Sequence, residues 1–317
     1  MLARFRVARV AYPGGCDIGI RPIDLHLKGL KALNVKITEK DGFIVCDGRD
    51  MAGGIVHLDS PSVGATENIM LAAVRAKGAT RIINPAKEPE IADLQNFINA
   101  LGGKVSGAGT GSIYIEGADS LSGVEYTPIP DRIAAGTYIT ACGICSGKIK
   151  LTNVVPDHIY SLITKLREAN INITIDKNEI TADCARRPQS VQIIETAPHP
   201  GFATDLQAQT AALQTISDGT SMIIENIFES RYKYVPELIK MGANITVRDR
   251  MAIIRGVSTL HGGDVTAKDL RGGAALVLAG LAADGTTAVD GVHHIDRGYY
   301  KLERTLSLLG ADIVRTY

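Results

Sequence analysis

The sequence predicts an α/β protein of two domains, built from repeated units of about 68 residues. The chain has 317 residues, enough for two hydrophobic cores. Its 45% hydrophobic and 21% charged residues are typical of a globular protein. An eight-residue pattern recurs with starts at residues 30, 98, 166, 238 and 306, so the intervals are 68, 68, 72 and 68 residues. Such regularity indicates an internal repeat.

Each copy of this pattern predicts the end of a helix followed by a strand. Its fifth position is Asn or Gly, which tolerate the left-handed backbone conformation that ends helices, and a β-branched run follows. These positions are Asn34, Gly102, Asn170, Gly242 and Gly310. Between successive copies, an Ala-rich helix closed by glycine leads into another strand, at Gly78, Gly147, Gly219 and Gly285. Each unit is therefore predicted as strand, helix, strand, helix, strand and one further strand.

The units are too long for a solenoid rung and too small to stand alone, so they should share cores in groups of three. Three complete units follow Val105, one precedes them, and only the tail of another lies before Ile37. This predicts a first domain over residues 1–129, incomplete at its N-terminus, and a second domain over residues 130–317.

Composition limits the classes of partner. The 34 basic and 34 acidic residues cancel, and aromatic residues make up only 5%, which disfavours a nucleic-acid partner. We find no signal peptide and no window near the roughly 18 apolar residues of a membrane span, so no membrane partner is expected. Five cysteines at unrelated spacings fit a reducing cytoplasm.

One loop near the N-terminus stands out chemically. Residues 13–26 read Pro-Gly-Gly-Cys-Asp-Ile-Gly-Ile-Arg-Pro-Ile-Asp-Leu-His, and three glycines with two prolines predict a shaped, partly mobile loop. It is predicted to be part of the first domain. Cys16 lies at its tip with Arg21 five residues on, where a thiol can take part in proton transfer. The alternative is an ordinary surface loop with an inert cysteine.

This loop resembles the active-site loop of the bacterial UDP-N-acetylglucosamine 1-carboxyvinyltransferases, which are enolpyruvyl transferases. Further similar motifs run the whole length of the chain, and together they are highly specific. They are Ser62-Val-Gly-Ala-Thr66, Lys87-Glu-Pro-Glu-Ile91, Pro130-Asp-Arg-Ile133, Thr196-Ala-Pro-His-Pro-Gly-Phe-Ala-Thr-Asp-Leu-Gln-Ala-Gln209, Val235-Pro-Glu-Leu238, Lys268-Asp-Leu-Arg-Gly-Gly-Ala-Ala-Leu276 and His294-Ile-Asp-Arg-Gly-Tyr299.

The resemblance implies a pair of inside-out α/β barrels, the EPSP synthase fold, each of three units with helices inside and strands outside. It implies a cofactor-free transferase that moves the enolpyruvyl group of phosphoenolpyruvate to the 3-hydroxyl of UDP-N-acetylglucosamine and releases phosphate. This step opens peptidoglycan synthesis and thereby supports cell shape and division. The family's early Lys-Asn pair and a later arginine have no counterpart here, so we expect this chain, expressed alone, to be poorly soluble or inactive.

The resemblance also assigns the chemistry. Cys16 is implied as the acid that protonates the substrate methylene carbon, and as the residue alkylated by fosfomycin. Asp205 is implied as the residue facing the sugar hydroxyl, and Asp269, at the equivalent position of the next unit, can share the role of base or orient the substrate. For Asp205 the alternative is a helix cap, because an aspartate at a helix start binds unpaired amides.

Substrate contacts follow in the same way. Arg21, Arg271 and Arg297 are implied to bind the phosphate and carboxylate of the anionic substrate. The resemblance assigns Arg21, Pro22, Ile23, Asp24 and Leu25 to the uracil end, Ser62, Val63 and Gly64 to the diphosphate, and Ile227 to the nucleotide sugar. The family commonly has a lysine two residues before Ser62, where this chain has Ser60.

Two rival functions remain open. A shikimate-pathway enolpyruvyl transferase shares the fold but lacks the Gly-Gly-Cys loop, and an inactive paralogue or fragment would bind nucleotide sugar without turnover.

Cys142 and Cys145 have redox spacing but lie in an Ala-rich helix, so we interpret them as buried small residues. The pair His293 and His294 lacks further ligands at metal spacing, so no metal is predicted.

Overall fold

A computed structural model describes residues 1–12, 14, 18–19 and 22–316. The described residues form two compact units. Residues 1–12, 14 and 22–129 belong to the first unit, and residues 18–19 and 130–316 belong to the second. Each unit has its own cluster of buried apolar side chains.

The described part of the first unit contains helices and strands in alternation. Its helices are α1 (Leu2–Phe5), α2 (Asp24–Ala32), α3 (Val63–Ala73) and α4 (Pro89–Ala100). Its strands are β1 (Val7–Ala11), β2 (Lys36–Lys40), β3 (Phe43–Asp47), β4 (Ile55–His57), β5 (Ala79–Ile83), β6 (Lys104–Ser106) and β7 (Ser112–Glu116).

The described part of the second unit continues the same alternation. Its helices are α5 (Arg132–Ile144), α6 (Tyr160–Glu168), α7 (Gln207–Ile216), α8 (Val235–Lys240), α9 (Leu270–Ala282) and α10 (Leu302–Leu308). Its strands are β8 (Lys148–Thr152), β9 (Asn172–Asp176), β10 (Glu179–Asp183), β11 (Ile193–Glu195), β12 (Thr220–Ile224), β13 (Asn244–Arg248), β14 (Met251–Arg255), β15 (Leu260–His261), β16 (Asp264–Thr266), β17 (Ala283–Asp284) and β18 (Ala288–Asp290). Short 3-10 helices cover Pro156–Ile159, Thr204–Leu206, Arg231–Tyr234 and Val292–Arg297.

The sheets repeat between the units. The first unit has a four-stranded sheet in the order β4-β5-β7-β6, and the second has one in the order β11-β12-β14-β13. In both, the first two strands are parallel and the others antiparallel, with Val56 opposite Ile82 and Ile194 opposite Ile223. Three-stranded sheets β1-β3-β2 and β8-β10-β9 also correspond, whereas β15-β17 and β16-β18 are separate pairs. The strand order therefore confirms the predicted repeat.

Helices line the interior of the second unit and strands cover it. Helices α5, α7 and α9 pack against one another. Nine of the ten residues of α7 are buried, from Gln207 to Thr215, so this helix has no solvent-exposed face. Buried and half-buried residues alternate along β10, as expected for a strand with one face on the core. This arrangement agrees with the inside-out α/β fold.

The predicted left-handed positions are confirmed by the backbone. Asn34, Gly102, Asn170, Gly242 and Gly310 all have positive φ, between 61° and 99°. At the second marker, Gly78, Gly219 and Gly285 also have positive φ, whereas beside Gly147 it is Ser146 that adopts it, at 49°.

The fifth copy of the repeat does not end in a strand. Residues 311–316 form no strand, so the strand predicted around Ile313 is wrong. A strand exists only as a hydrogen-bonded partner of another strand, and this segment has no such partner among the described residues.

Over the described ranges, no helix combines the length and apolar character needed to cross a bilayer.

Candidate active site

In the second unit, the Asp205 carboxylate lies between two arginine side chains. Its Oδ1 accepts a hydrogen bond from Arg231 Nη2 at 2.8 Å, and its Oδ2 accepts one from Arg271 Nη2 at 3.1 Å. The side chains of Arg231 and Arg271 are 3% and 11% exposed, whereas that of Asp205 is 41% exposed. A solvent-accessible anion is therefore held by two buried cations.

The local backbone explains why the Asp205 carboxylate points to the arginines. Asp205 lies in the 3-10 helix that leads into α7, and neither helix has a side-chain cap. Arg231 Nη2 also donates to Thr204 O at 3.0 Å, and Gln209 Nε2 donates to Asp205 O at 2.9 Å. The alternative that Asp205 caps a helix is therefore wrong, and its catalytic role stays a prediction.

The arginines control the ionisation of this carboxyl group. Burial raises the pKa of Asp205, but the charges and hydrogen bonds of Arg271 and Arg231 outweigh burial and hold the pKa below its ordinary value. Asp205 is therefore ionised at neutral pH, the state in which a carboxylate accepts a proton.

Asp269 has a different task, because it caps α9. Its Oδ1 accepts hydrogen bonds from Arg271 N at 3.1 Å and Gly272 N at 2.9 Å. The residue is buried, and its Oδ2 has no hydrogen-bond partner among the described residues. A Cβ at Gly272 would lie 2.6 Å from that oxygen, so glycine leaves room for the carboxylate. The cap fixes Arg271 in the first turn of α9, and a direct role for Asp269 stays a prediction.

The ring of Tyr299 packs against the Arg271 guanidinium. Its ring centroid lies 5.2 Å from Arg271 Cζ, within the range of a cation–π contact. Its hydroxyl bonds with Thr137 Oγ1 at 2.8 Å and accepts a bond from Gln209 Nε2 at 2.9 Å. Three guanidinium nitrogens, Nε and Nη1 of Arg271 and Nε of Arg231, are buried without a hydrogen-bond partner in the described structure. These N–H groups can donate hydrogen bonds to an anion.

In the first unit, the predicted diphosphate residues form a helix start. Ser62 is the N-cap of α3, and its Oγ accepts a hydrogen bond from Ala65 N at 3.3 Å. Val63 and Gly64 begin the helix, and its first turn contains no acidic residue. The first amides of a helix lack intrahelical partners and carry partial positive charge, which suits a phosphate.

Helix α2 packs against α3. Asp24 and Leu25 begin α2. This helix approaches α3 closely because Gly29 has no Cβ, which would otherwise collide with Ile69. His26 packs on Gly64, with its Cε1 3.1 Å from the position of a Cβ there. Burial lowers the pKa of His26, although the charge of Asp24 opposes this effect. Helix α2, which begins with Asp24 and Leu25, therefore lies against α3, which begins with Val63 and Gly64.

The remaining predicted residues have mixed outcomes. Cys16 and Arg21 lie outside the described residues. Arg297 is exposed at the end of a 3-10 helix, and Ile227 lies in a loop whose backbone N–H donates to Glu225 Oε1 at 2.9 Å.

The two cysteines with redox spacing, Cys142 and Cys145, differ in burial. Cys142 is a buried free thiol that donates to Gly147 O at 3.1 Å, and burial raises its pKa to about 11. Cys145, by contrast, follows α5 and is exposed, so the interpretation of both as buried residues is correct only for Cys142. No group of three or more metal-ligating side chains exists within the described part of the chain.

Sequence reasoning missed Arg231 and Glu225. Arg231 begins a 3-10 helix and is buried, yet a single arginine in a polar stretch is typical of a surface charge. Glu225 directly follows the apolar strand β12 and is completely buried. The sequence indicates this only weakly, because a glutamate is mostly exposed in folded proteins.

Comparison with known proteins relates these features to a family. Residues 1–306 match the family model of EPSP synthase (3-phosphoshikimate 1-carboxyvinyltransferase). The chain is 53% identical over 315 residues to UDP-N-acetylglucosamine 1-carboxyvinyltransferase 2 of Caldanaerobacter subterraneus subsp. tengcongensis, covering 99% of this chain and 76% of that relative. It is 50% identical to the UDP-N-acetylglucosamine 1-carboxyvinyltransferase of Myxococcus xanthus, covering 99% and 75%.

Solved structures agree in fold. The enolpyruvyl transferase NikO from Streptomyces tendae superposes with a TM-score of 0.85 at 26% identity, covering 98% of this chain and 74% of that one. An EPSP synthase from Acinetobacter baumannii gives a TM-score of 0.70 at 18% identity, covering 96% and 74%, which shows the fold alone. The chain therefore belongs to the EPSP synthase family of enolpyruvyl transferases, in which its relatives at about 50% identity are UDP-N-acetylglucosamine 1-carboxyvinyltransferases.

Proposed function

We propose that this chain transfers the enolpyruvyl group of phosphoenolpyruvate to the 3-hydroxyl of UDP-N-acetylglucosamine and releases phosphate. The names of the relatives at 53% and 50% identity support this reaction and these two substrates. The observation that carries the chemistry is the Asp205 carboxylate, accessible to solvent and held by two buried guanidiniums. The product feeds peptidoglycan synthesis, and with it cell growth, shape and division.

The residues of the second unit take roles suited to their chemistry. Asp205 accepts the proton of the sugar hydroxyl as its oxygen attacks the enol carbon. Arg271 and Arg231 bind the substrate carboxylate through their unpartnered N–H donors, and Asp269 orients Arg271 by capping α9. Ile227 contacts the nucleotide sugar.

The other roles belong to residues 16–25, 62–64 and 297. Cys16 delivers a proton to the methylene carbon, and is the target of fosfomycin. Arg297 binds the phosphate that leaves when the carbon–oxygen bond breaks and the methylene carbon gives its proton back. Residues 21–25 hold the uracil end, and the start of α3 at residues 62–64 binds the diphosphate.

Substrate binding should strengthen the base. An anion that takes the guanidinium donors adds negative charge beside Asp205 and weakens the arginines' hold on it, so its pKa rises. We expect the acid limb of kcat, which reports the bound enzyme, to lie at higher pH than the acid limb of kcat/KM. Coincident limbs would contradict this role of the arginines.

The reaction is tested by following phosphate release from the purified chain mixed with both substrates. Release that requires UDP-N-acetylglucosamine and disappears in Asp205→Asn supports the proposal. Release with shikimate 3-phosphate instead would assign the chain to the shikimate pathway. Binding of the nucleotide sugar in a calorimeter without phosphate release identifies an inactive paralogue. If the chain shows no binding and no release, the proposal is refuted.

We also propose that the reaction takes place in the cytoplasm. Four cysteines, Cys46, Cys142, Cys145 and Cys184, are free thiols in the described structure. Free thiols persist in a reducing compartment, which supports this location.

A further inference from the structure

Glu225 carries a buried carboxylate whose two oxygens serve different segments of the second unit. The residue is fully buried. Its Oε1 accepts hydrogen bonds from Thr196 Oγ1 at 3.0 Å, Ile227 N at 2.9 Å and Phe228 N at 3.1 Å. Its Oε2 accepts one from Thr204 Oγ1 at 2.9 Å. A buried carboxylate is costly unless its oxygens are hydrogen-bonded, and these four neutral donors meet that need.

The bond to Thr204 fixes the backbone next to Asp205. Thr204 binds Glu225 with its hydroxyl, and its carbonyl oxygen accepts a bond from Arg231 Nη2 at 3.0 Å. The same nitrogen donates to Asp205 Oδ1 at 2.8 Å. A displacement of Thr204 would therefore disturb the ion pair between Arg231 and Asp205.

The bonds to Oε1 fix the loop that carries Ile227. Two consecutive amides, those of Ile227 and Phe228, point at this oxygen. Thr196 Oγ1 adds a third contact to the loop, because it accepts a bond from Asn226 N at 2.9 Å while donating to Glu225. The loop backbone is thus held from inside the unit by one carboxylate oxygen and one hydroxyl.

We propose that Glu225 is a positioning residue that holds the Asp205 carboxylate through Thr204 and the Ile227 loop through its other oxygen. The inference rests on the proposed function, in which Asp205 is the base and Ile227 contacts the nucleotide sugar. Glu225 touches neither substrate in this scheme.

The charged surroundings of the two carboxylates differ. Asp205 faces the guanidiniums of Arg271 and Arg231. The titratable groups that respond to the charge of Glu225 are Tyr232 and Tyr234, whose pKa values are raised mainly by burial and further by that charge. Both phenols stay protonated at and below neutral pH, so neither changes its charge while Asp205 titrates.

The test separates the two arms with two threonine variants. Thr204→Val removes the donor to Oε2, and Thr196→Val removes the hydroxyl that bonds both Oε1 and Asn226 N in the loop, each with little change in shape. Thr215→Val is the matched control, because Thr215 is equally buried in α7 but its hydroxyl bonds only Ala212 O among the described residues. Two readouts are measured: the Asp205 titration by carboxyl carbon NMR, assigned with Asp205→Asn, and the Kd for UDP-N-acetylglucosamine by calorimetry.

Each variant should move one readout. Loss of a hydrogen bond to a charged group changes an equilibrium by about tenfold or more. We expect Thr204→Val to raise the proton affinity of Asp205 by about tenfold, and Thr196→Val to weaken nucleotide-sugar binding by about tenfold, each leaving the other readout near the parent value. Thr215→Val should leave both unchanged. Glu225→Gln keeps an acceptor for the amides and a group that bonds Thr204, so both readouts should stay close to the parent.

Several results would overturn the proposal. The first is an Asp205 titration in Thr204→Val that equals the one in Thr215→Val. The second is an equal change of both readouts in Thr204→Val and Thr196→Val. The third is a Glu225→Gln variant that changes the readouts as strongly as the two threonine variants. The last result would mean that charge, and not hydrogen-bond geometry, sets the site. If the parent binds no UDP-N-acetylglucosamine, the proposed function is wrong, but the titration still decides on Glu225 because it needs no substrate.

Discussion

The charge of Asp205 should stabilise the second unit, because it neutralises two buried arginines. We consider Asp205→Asn, which keeps the size of the side chain and removes its charge. Arg231 and Arg271, with side chains 3% and 11% exposed, would then share no anion. A buried cation without a partner is strongly unfavourable, because burial has already removed most of the water that would otherwise solvate its charge.

The expected size of the effect lies between two limits. An exposed ion pair contributes about 0–1 kcal/mol, and removing one partner of a buried pair costs about 3–5 kcal/mol. Since Asp205 is 41% exposed and its partners are buried, we expect a loss of about 2 kcal/mol in the free energy of unfolding. For a unit of this size that is a fall of roughly 4–8 °C in Tm.

Thermal unfolding in low-salt buffer, with and without inorganic phosphate, measures this loss. Phosphate should restore much of the stability of Asp205→Asn, because an anion that binds only the folded state stabilises it. The exposed Asp218 provides the control variant Asp218→Asn, which should change neither Tm nor its phosphate dependence. An Asp205→Asn protein as stable as the parent without phosphate would refute the reasoning.

The pH dependence has a definite sign. The folded pKa of Asp205 lies below its ordinary value of 3.8, so its stabilisation is complete above that value. It is lost as the pH falls through the folded pKa. The Tm difference between the parent and Asp205→Asn should therefore be constant near neutral pH and close in acid.

Three further predictions concern packing, thiol reactivity and the support of Arg271. Gly29→Ala should lower the free energy of unfolding by about 1–3 kcal/mol in urea titrations, because its Cβ collides with the buried Ile69. Cys142, whose pKa burial raises to about 11, should react with iodoacetamide at neutral pH only after unfolding, as read by mass spectrometry. Tyr299→Phe keeps the ring beneath Arg271 but removes the hydroxyl bound by Gln209, so kcat should fall by about threefold to tenfold with the KM for the nucleotide sugar unchanged.

The repeat was predictable because the backbone conformation at its helix ends restricts the residue types found there. Asn34 and Gly102 mark helix ends by residue type, since few other side chains tolerate positive φ. The strand predicted around Ile313 is wrong, because a strand depends on a partner that the local sequence does not specify. Beside Gly147 the left-handed residue is Ser146, because Ser146 N donates to Gly143 O and Gly147 N to Cys142 O, so Ser146 is the position that ends α5.

The site was predictable where a residue belonged to a motif. Asp205 and Arg271 were found in motifs, and the structure joins them directly. Arg231 and Glu225 were missed because their importance lies in burial and in the direction of their side chains. Neither property is periodic in a 3-10 turn or at a strand end, so hydrophobic patterning could not reveal them.

Comparison among the repeats shows why Asp205 is exceptional. Helices α3, α5 and α9 begin with the oxygen-bearing caps Ser62, Asp131 and Asp269, and each side chain accepts a hydrogen bond from its helix. In α7 the N-cap is Leu206, which has no such side chain, and a 3-10 turn precedes it. Asp205 lies in that turn, so its carboxylate gives up the capping bonds, worth about 1 kcal/mol, and binds two guanidiniums instead. The repeat thus supplies three structural controls, and the departure from them is what leaves a carboxylate available for chemistry.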